Sequence, residues 1–382
     1  MKILTVIETL GAGGAERALL TLLPALGQRG HECEVAVLRP PMTLEPEFSA
    51  RGVPVHHLGL RHRWDLPRGV ARVSVLARRG QFDVVHGHLF FGGLYVAMAR
   101  PFAPGTAGLV TFHNLGYDSY PANTTWRKAR KRVDTVAMRS LDRRVAVSEA
   151  AASHYRTHLG LRDCDVVPNG LDLSAVQSHH GDRRETSLRL GVDPDRPLLV
   201  AVGRFVPEKS HGDLIAALRL VRDRNASVQL VLVGDGPRRA DVENAVRTAG
   251  VTDAVVLAGT RPHHEVLDIV AAADIFVSSS VHEGFSLATA EAMALGRPVA
   301  VTSVGGVPEI VGHDGAGRLV PAGQPEALAR VILELLGDPA AAAACGELGR
   351  RRIEERFSIQ VVAEQLESVY EAALTSRRRE AR

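Results

Sequence analysis

Short apolar runs alternate with longer stretches of helical periodicity through the first half of the chain. Continuous runs of Val, Ile and Leu are typical of strands that a parallel sheet buries on both faces, whereas apolar residues three and four positions apart are typical of amphipathic helices. The predicted strands are 3–7, 34–38, 83–86, 108–111, 144–147 and 165–167, and the predicted helices between them include 15–28, 66–79 and 124–139.

The same alternation begins again after a polar segment, 173–196, that is rich in Ser, His, Asp and Arg. Beyond Pro321 the pattern is helical to the end of the chain. The predicted strands of this second half are 198–202, 228–233, 254–257, 274–278 and 298–301, and its predicted helices include 210–223, 238–249, 265–272 and 286–295.

This order of elements predicts an α/β protein with two doubly wound, Rossmann-like domains. We place the first domain at 1–172 and the second at 197–357, with 173–196 as a hinge or linker between them. Ligands of doubly wound sheets bind at the carboxyl ends of the strands, so two such domains predict a central cleft that both domains face.

The composition is that of a globular protein and narrows the range of functions. Of the 382 residues, 45% are hydrophobic and 23% are charged, which excludes disorder for the bulk of the chain. The 46 basic and 43 acidic residues give a net charge of +3, so we predict no nucleic-acid partner. No run reaches the roughly 18 apolar residues of a membrane span, and we expect a cytoplasmic protein. The widely separated Cys33, Cys164 and Cys345 indicate neither disulfides nor a zinc site.

A glycine-rich loop follows the first predicted strand. It reads Gly11-Ala12-Gly13-Gly14-Ala15-Glu16-Arg17, and a loop of this kind at a helix N-terminus can hold phosphate with its backbone N–H groups. However, Glu16 stands where the dinucleotide-binding fingerprint has its third glycine, and the P-loop pattern is also absent. The loop is therefore either an anion-binding site or a flexible turn.

Charged residues follow the first predicted strand of the second domain. Arg204 and Lys209 lie five residues apart around a turn, and two such cations can clamp a diphosphate. Because only four of the 46 basic residues are lysines, a lysine at this position is informative. The alternative interpretation is a pair of solvated charges.

Two carboxylates, Glu283 and Glu291, frame a glycine and the start of predicted helix 286–295. Ionised carboxylates only accept hydrogen bonds, which suits them to sugar hydroxyls and ribose diols. The helix N-terminus near Ser286 offers N–H groups to an anion. The alternative is an ordinary capped helix with Glu291 facing solvent.

Three histidines end predicted strands at the expected ligand-binding edge. His86 and His88 have no carboxylate at ligand spacing, so we predict no metal site there. His113, in Thr111-Phe112-His113-Asn114, is expected to hydrogen-bond a ligand in the cleft. We interpret the pairs at 56–57, 179–180 and 263–264 as surface or loop residues.

In this order the segments resemble the GT-B fold glycosyltransferases of the group 1, family-four type, which are retaining enzymes that use nucleotide sugars. The resemblance covers nearly the whole chain. It rests on Gly13-Gly14-Ala15-Glu16-Arg17, Thr111-Phe112-His113, Val167-Pro168-Asn169-Gly170-Leu171-Asp172, Gly203-Arg204 with Glu208-Lys209, Val233-Gly234-Asp235-Gly236-Pro237, and the Glu283…Glu291 element.

The resemblance implies roles for individual residues. Arg204 and Lys209 hold the donor diphosphate, Glu283 contacts the transferred sugar, and Glu291 binds the ribose hydroxyls. The last helix, within 358–382, returns to the N-terminal domain. We further assign donor contacts to Gly13, Gly14, Arg261, Gly284, Phe285, Ser286, Leu287 and Ala288, acceptor contacts to Glu16, Arg17, His88 and His113, and catalytic roles to His113, Arg204, Lys209 and Glu283.

The expected activity is transfer of a hexose-type sugar from a UDP- or GDP-sugar to an unknown acceptor, with retention of configuration and without a metal or other cofactor. Arg204, Lys209 and a helix N-terminus can stabilise the negative charge that builds on the departing diphosphate. Retention is implied by the family alone. A nucleotide-sugar epimerase, a glycosyl phosphorylase and a non-catalytic sugar-nucleotide-binding protein remain as alternatives.

Two basic, tryptophan-bearing elements of the first half raise the question of peripheral contact with the inner face of a membrane. Segment 127–144 has eight Lys and Arg against two Asp, a balance of +6. Arg61-His62-Arg63-Trp64 with helix 66–79 forms the second element. Such helices can lie on an anionic bilayer, or they can be exposed helices over a buried apolar face. The apolar residues at helical spacing in this first element and directly before it are Trp126, Ala129, Val133, Val136 and Ala137.

Overall fold

Each half of the chain folds around its own parallel sheet in the computed structural model, which describes residues 1–117, 125–179 and 181–380, without the side chains of 125–130 and 378–380. The chain divides into two units. The first comprises Met1–Gly170 and Ile359–Arg382, and the second comprises Leu171–Ser358. The prediction of two doubly wound α/β domains is confirmed.

The first unit contains a seven-stranded parallel sheet with strand order β3-β2-β1-β4-β5-β6-β7. The strands of this sheet are β1 (Lys2–Ile7), β2 (Glu32–Val37), β3 (Val55–His57), β4 (Val84–His88), β5 (Ala107–Phe112), β6 (Arg143–Ala146) and β7 (Asp165–Val166). The short β3 was not predicted, because two of its three residues are histidines. The helices of the first unit that precede β7 are α1 (Gly14–Gln28), α2 (Glu45–Ala50), α3 (Leu66–Arg79), α4 (Leu89–Ala99), α5 (Thr125–Arg139) and α6 (Glu149–Leu159).

The sheet of the first unit is buried on both faces, as its continuous apolar runs predict. Ile3 and Ile7 of β1 join the core beneath α1, whereas Leu4 and Val6 join the core on the opposite face. Helix α4 escaped prediction because it is apolar all round and contains a glycine pair. A Cβ on Gly92 would lie 2.4 Å from the Val6 carbonyl oxygen, so the helix packs directly on the backbone of the sheet.

The second unit contains a six-stranded parallel sheet with strand order β10-β9-β8-β11-β12-β13. Its strands are β8 (Leu198–Val202), β9 (Gln229–Val233), β10 (Val255–Gly259), β11 (Ile275–Ser278), β12 (Val299–Thr302) and β13 (Arg318–Val320). Its helices are α7 (Leu173–Gln177), α8 (Arg183–Leu190), α9 (His211–Arg222), α10 (Arg239–Ala249), α11 (His263–Ala271), α12 (Leu287–Ala294), α13 (Val307–Val311), α14 (Pro325–Gly337) and α15 (Pro339–Phe357).

The organisation of segment 173–196 differs from our expectation of a hinge or linker. This segment forms α7 and α8 and belongs to the second unit. Its many polar residues instead cap and anchor short helices: the Asp182 carboxylate accepts from the Glu185 N–H at 2.8 Å, and Arg183 donates to the Ala272 carbonyl at 2.7 Å. The polar composition therefore reflects capped surface helices.

The last helix, α16 (Ile359–Glu380), packs against the first unit, as the resemblance implies. Arg29 forms an ion pair with Glu367, and the Arg377 guanidinium donates to the Thr106 carbonyl at 3.1 Å. The Tyr370 hydroxyl lies 2.8 Å from Nδ1 of His86. The chain therefore completes the core of its first domain with its final helix.

Candidate functional site

The site loops of the second unit approach one another backbone to backbone. A Cβ on Gly234 would lie 2.0 Å from the Gly203 carbonyl oxygen, and one on Gly305 would lie 1.7 Å from the Glu283 carbonyl oxygen. Both glycines also have positive φ, +137° and +49°, which other residues rarely adopt. These contacts hold the loops after β8 and β11 in place.

Lys209 and Glu283 form the centre of the candidate donor site. Nζ of Lys209 lies 2.6 Å from Oε1 of Glu283, and the Ser280 hydroxyl donates to the same oxygen at 2.8 Å. The aliphatic part of the Lys209 side chain runs along Gly203, since a Cβ on that glycine would lie 3.2 Å from the lysine Cε. Oε2 of Glu283 has no hydrogen-bond partner among the described residues and is available as an acceptor.

Arg204 follows Gly203 and carries an exposed guanidinium. Its neighbour Phe205 is fully buried and packs against His211, with ring centroids 4.8 Å apart, so the loop is anchored on both sides of the arginine. Within the described part of the chain the Arg204 side chain has no ion pair or hydrogen bond. The structure thus leaves this cation available for an anionic ligand.

The N-terminus of α12 lies in the same segment as Glu283. The Ser286 hydroxyl bonds the Thr289 hydroxyl at 2.8 Å and does not cap the backbone N–H groups of the first turn. Leu287 and Ala288 begin the helix and are half-buried, while Gly284 and Phe285 are buried before it. An uncapped helix N-terminus beside a carboxylate suits a ligand that carries both phosphate and hydroxyl groups.

Glu291 lies inside α12 and is almost fully buried. Its Oε1 lies 2.8 Å from Nε2 of His263, the first residue of α11. Arg261 precedes this pair on the turn after β10, where its Nε donates to the Ala258 carbonyl at 2.9 Å. The expectation that Glu291 faces solvent in an ordinary helix is therefore not met.

Sequence reasoning missed two residues of this site. His263 was interpreted as a surface or loop residue without a role in the site, but it contacts the Glu291 carboxylate. Ser280, which donates to Glu283, was not singled out. A run of three serines, Ser278 to Ser280, at the end of buried strand β11 was the available signal, because buried hydroxyls at a strand end need partners.

The candidate acceptor site lies in the first unit, where neighbouring strands β4 and β5 bring the predicted histidines together. Nδ1 of His88 lies 2.9 Å from Nε2 of His113. His86 is fully buried behind them, between the Thr111 hydroxyl at 2.7 Å and the Tyr370 hydroxyl at 2.8 Å. The buried Nδ1 of His113 has no hydrogen-bond partner among the described residues. The sequence did not predict the link from His86 to the last helix.

Burial keeps these three imidazoles neutral. It lowers the pKa of His113 from its ordinary value of 6.5 to about 4 and that of His86 to about 3. Burial and the two neighbouring imidazoles lower the pKa of His88 well below its usual range. A neutral imidazole has one N–H and one acceptor nitrogen, so the cluster suits hydroxyl groups of a ligand.

The first unit should lose stability as the pH falls below about 6.5. In the unfolded chain a histidine takes up its proton near that pH, whereas folded His113 resists protonation down to about 4, so acid favours the unfolded state. Each unit of pKa difference corresponds to about 1.4 kcal/mol. Urea titrations at pH 7, 6 and 5 test this, since both tryptophans, Trp64 and Trp126, fall within 1–170 and report on this unit.

A matched pair of variants isolates the effect. His113→Gln should reduce the dependence of the unfolding free energy on pH, with the contributions of His86 and His88 remaining. In contrast, His264→Gln, which replaces an exposed histidine of the second unit, should leave this dependence unchanged. If the native chain is equally stable at pH 7 and pH 5, the buried histidines do not resist protonation.

The glycine-rich loop carries a carboxylate at the start of α1. Gly13 precedes the helix, and a Cβ on it would lie 2.4 Å from Oε2 of Glu16. Glu16 is buried, and the Thr9 hydroxyl donates to it at 3.2 Å. Glu16 thus occupies the third helical position typical of a capping box. Gly14 is exposed and Arg17 is half-buried, and their predicted ligand contacts remain predictions.

The basic helix α5 presents apolar side chains outward. Val133 is 54% exposed and Val136 is 72% exposed, whereas Met138 of the same helix is buried. These valines therefore do not form the buried apolar face that was one of the two expectations. Trp64 is 46% exposed. Trp126 and Ala129 lie outside the described side chains, and membrane contact remains a prediction.

Two absences hold for the described ranges 1–117, 125–179 and 181–380. In them no helix is both long enough and apolar enough to cross a membrane. Nor do they contain a group of three or more His, Cys, Asp or Glu side chains that could hold a metal ion.

Two protein-family models match this chain. The model for "Glycosyl transferases group 1" matches residues 182–352, and the model for "Glycosyltransferase Family 4" matches residues 12–175. The chain is 30% identical to the 2-deoxystreptamine glucosyltransferase of Streptomyces kanamyceticus, over 99% of this chain and 100% of that enzyme. It is 32% identical to the MMP alpha-(1->4)-mannosyltransferase of Mycolicibacterium hassiacum, over 80% of this chain and 74% of that enzyme.

Solved structures share this fold over almost the full length. HepE of Anabaena, in complex with UDP and glucose, matches 97% of this chain and 100% of its own with a TM-score of 0.85 and 22% identity. The sucrose-phosphate synthase of Thermosynechococcus elongatus matches 98% of this chain and 100% of its own with a TM-score of 0.83 and 23% identity.

Proposed function

The chain belongs to the group 1 glycosyltransferases of GT-B fold, and from this premise we propose that it transfers a hexose-type sugar from a UDP- or GDP-sugar to a small polyhydroxylated acceptor, with retention of configuration and without a metal ion. The observation that carries the proposal is the arrangement of Lys209, Glu283 and the N-terminus of α12. It offers a cation, a carboxylate and free N–H groups within one set of loops.

The chemistry of the donor accounts for this arrangement. Negative charge grows on the diphosphate as the glycosidic bond breaks, and Lys209, the unpartnered Arg204 and the α12 N–H groups are suited to stabilise it. These groups replace the charge that a divalent metal would supply. In the proposed retaining reaction the departing phosphate takes the proton of the acceptor hydroxyl, so no separate protein base is required.

Each carboxylate has one oxygen held by the protein. Lys209 and Ser280 fix Glu283, which would accept from a hydroxyl of the transferred sugar. His263 fixes Glu291, which would accept from the ribose hydroxyls. A carboxylate that is already oriented loses less side-chain freedom on binding, which favours affinity and selectivity for diols.

The proposed acceptor class follows from the relatives and the histidine cluster. Relatives of this chain are named for 2-deoxystreptamine and for D-inositol 3-phosphate, both polyhydroxylated rings. In the first unit the neutral pair His88 and His113 can exchange hydrogen bonds with hydroxyl groups without adding charge. We therefore assign acceptor binding to this cluster.

Turnover with defined donors tests the proposal. The chain is incubated with UDP-glucose, UDP-N-acetylglucosamine, GDP-mannose or ADP-glucose, each with and without 2-deoxystreptamine or inositol phosphate, and products are identified by NMR. We expect an α-linked product from an α-linked donor only when an acceptor is present. A product from the donor alone would indicate an epimerase. Cleavage of a disaccharide that depends on added inorganic phosphate would indicate a phosphorylase. Tight nucleotide binding without a product from any donor and acceptor pair would indicate a binding protein.

Turnover should persist in excess chelator, because Arg204 and Lys209 already supply positive charge for the diphosphate. Initial rates with and without EDTA are compared after the protein has been dialysed against chelator. We expect rates that agree within about twofold, well under the tenfold that corresponds to 1.4 kcal/mol of barrier. Loss of turnover that Mg²⁺ or Mn²⁺ restores would refute metal independence.

A further inference from the structure

We propose that the first unit contains a second anion site, which binds the phosphoryl group of a phosphate ester and is distinct from the donor and acceptor sites described above. A cavity of 330 Å³ lies where α5 and α6 end and β6 begins. The residues that line it are Arg139, Arg144, Gly160, Leu161, Arg162 and Asp163.

The cavity has an excess of positive charge. Its lining includes three arginines and one aspartate, and none of the three arginines has an ion pair within the described ranges. The neighbouring Asp142 carboxylate is not available to them, because it pairs with Arg100 and lies 3.8 Å from Arg377. An anion from solution would supply the missing partner.

Two of the arginines are held in position by backbone carbonyls. Arg139 donates to the Gly160 carbonyl at 2.7 Å, and Arg144 donates to the Leu141 and Asp163 carbonyls at 2.8 and 3.1 Å. Each guanidinium has five N–H groups, so most of them remain for a ligand. Capping of the α6 end explains one bond of Arg139, but it explains neither Arg144 nor the exposed, unpartnered Arg162.

The position of the cavity separates it from the acceptor cluster. In a parallel sheet all strands begin at one edge and end at the other. The cavity adjoins the start of β6, whereas His88 ends β4 and His113 follows β5 at the opposite edge. A ligand in the cavity therefore does not occupy the place of an acceptor at the histidines.

The chemistry of the cavity selects a phosphate ester. Planar guanidiniums bind phosphate oxygens in pairs, and a volume of 330 Å³ is large enough for a phosphoryl group with part of the alcohol that carries it. The ester could be a soluble sugar phosphate or the headgroup of an anionic lipid. Both present the same phosphoryl oxygens.

Calorimetric titration with inorganic phosphate and with glycerol phosphate, at constant ionic strength, tests the site. Arg162→Gln should weaken binding by about tenfold, since it removes one charge-assisted contact. Asp163→Asn should strengthen it by about threefold, since it removes the opposing charge. Both side chains are exposed, so neither change should disturb folding. The control is Arg51→Gln, an exposed arginine at the other end of the sheet.

The donor site is intact in all of these chains, so its phosphate binding contributes equally to each. Equal affinity in the native chain, Arg162→Gln and Asp163→Asn would overturn the proposal, as would an equal loss in Arg51→Gln. Flotation with phosphatidylcholine vesicles, with and without phosphatidic acid, identifies the source of the ester. Arg162-dependent flotation with phosphatidic acid supports a lipid headgroup, and Arg162-dependent phosphate binding without flotation supports a soluble ester.

Discussion

Lys209→Ala should lower kcat/KM by roughly 30-fold to several-thousand-fold. Nζ of Lys209 lies 2.6 Å from Oε1 of Glu283. If Lys209 also binds the diphosphate as we propose, its removal leaves both the diphosphate and this carboxylate without their shared cation. Loss of one partner of a desolvated charge pair typically costs about 2–5 kcal/mol, and each 1.36 kcal/mol corresponds to a factor of ten in rate. Steady-state kinetics with the donor found by the turnover screen measures the effect.

Two further variants show whether the loss comes from the site. The loss of kcat/KM in Arg204→Ala should lie in the same range, because the exposed guanidinium of Arg204 is free to bind the diphosphate in the native chain. Arg330→Ala removes an arginine from an exposed pair with Glu334 and should leave kcat/KM unchanged. Near-normal kinetics in a folded Lys209→Ala chain would remove Lys209 from the reaction.

Gly305→Ala should lower kcat/KM by about 100-fold although residue 305 need not touch substrate. A Cβ at this position would lie 1.7 Å from the Glu283 carbonyl oxygen, so the segment that carries Glu283 must move. A displacement of about 1 Å at a reacting group typically costs a factor of about 100. Rates at saturating and limiting donor separate this misalignment from weaker donor binding.

Gly323→Ala is the matched control for this substitution. Gly323 also has positive φ, +69°, but no atom lies within 4 Å of its Cβ position in the described structure. Alanine there should cost only the left-handed backbone, about 1–2 kcal/mol of stability, and kcat/KM should stay within about twofold of the native value. An equal loss of activity in both variants would mean that backbone strain, and not contact with Glu283, is responsible.

The apolar pattern was sufficient to predict most of the sheet strands. Strand β8, for example, was predicted with the bounds that the structure gives it, because a continuous run such as Leu198–Val202 can only be buried on both faces. Strand β3 and helix α4 were missed for opposite reasons. β3 has too few apolar residues to show a pattern, and α4 is so uniformly apolar that no helical face stands out.

The candidate site was only partly visible in the sequence. Glu283 and Glu291 could be singled out because two carboxylates beside a glycine and a helix start form a local pattern. Their partners Lys209 and His263 come from other segments of the chain, and no spacing rule connects residues 74 or 28 positions apart. For the same reason nothing in the sequence tied His86 to Tyr370, 284 positions later.

By itself, then, the sequence determined the alternation of strands and helices, the division into two α/β domains, and the loops that carry charged and glycine residues, because hydrophobic periodicity and glycine conformation act over a few neighbouring positions. The tertiary structure decided which side chains meet. It turned the supposed hinge into helices of the second unit, placed His263 on Glu291, and gathered Arg139, Arg144 and Arg162 around one cavity. Contacts of this kind depend on how parallel strands are ordered across a sheet, and strand order is a property of the packed chain and not of any local segment.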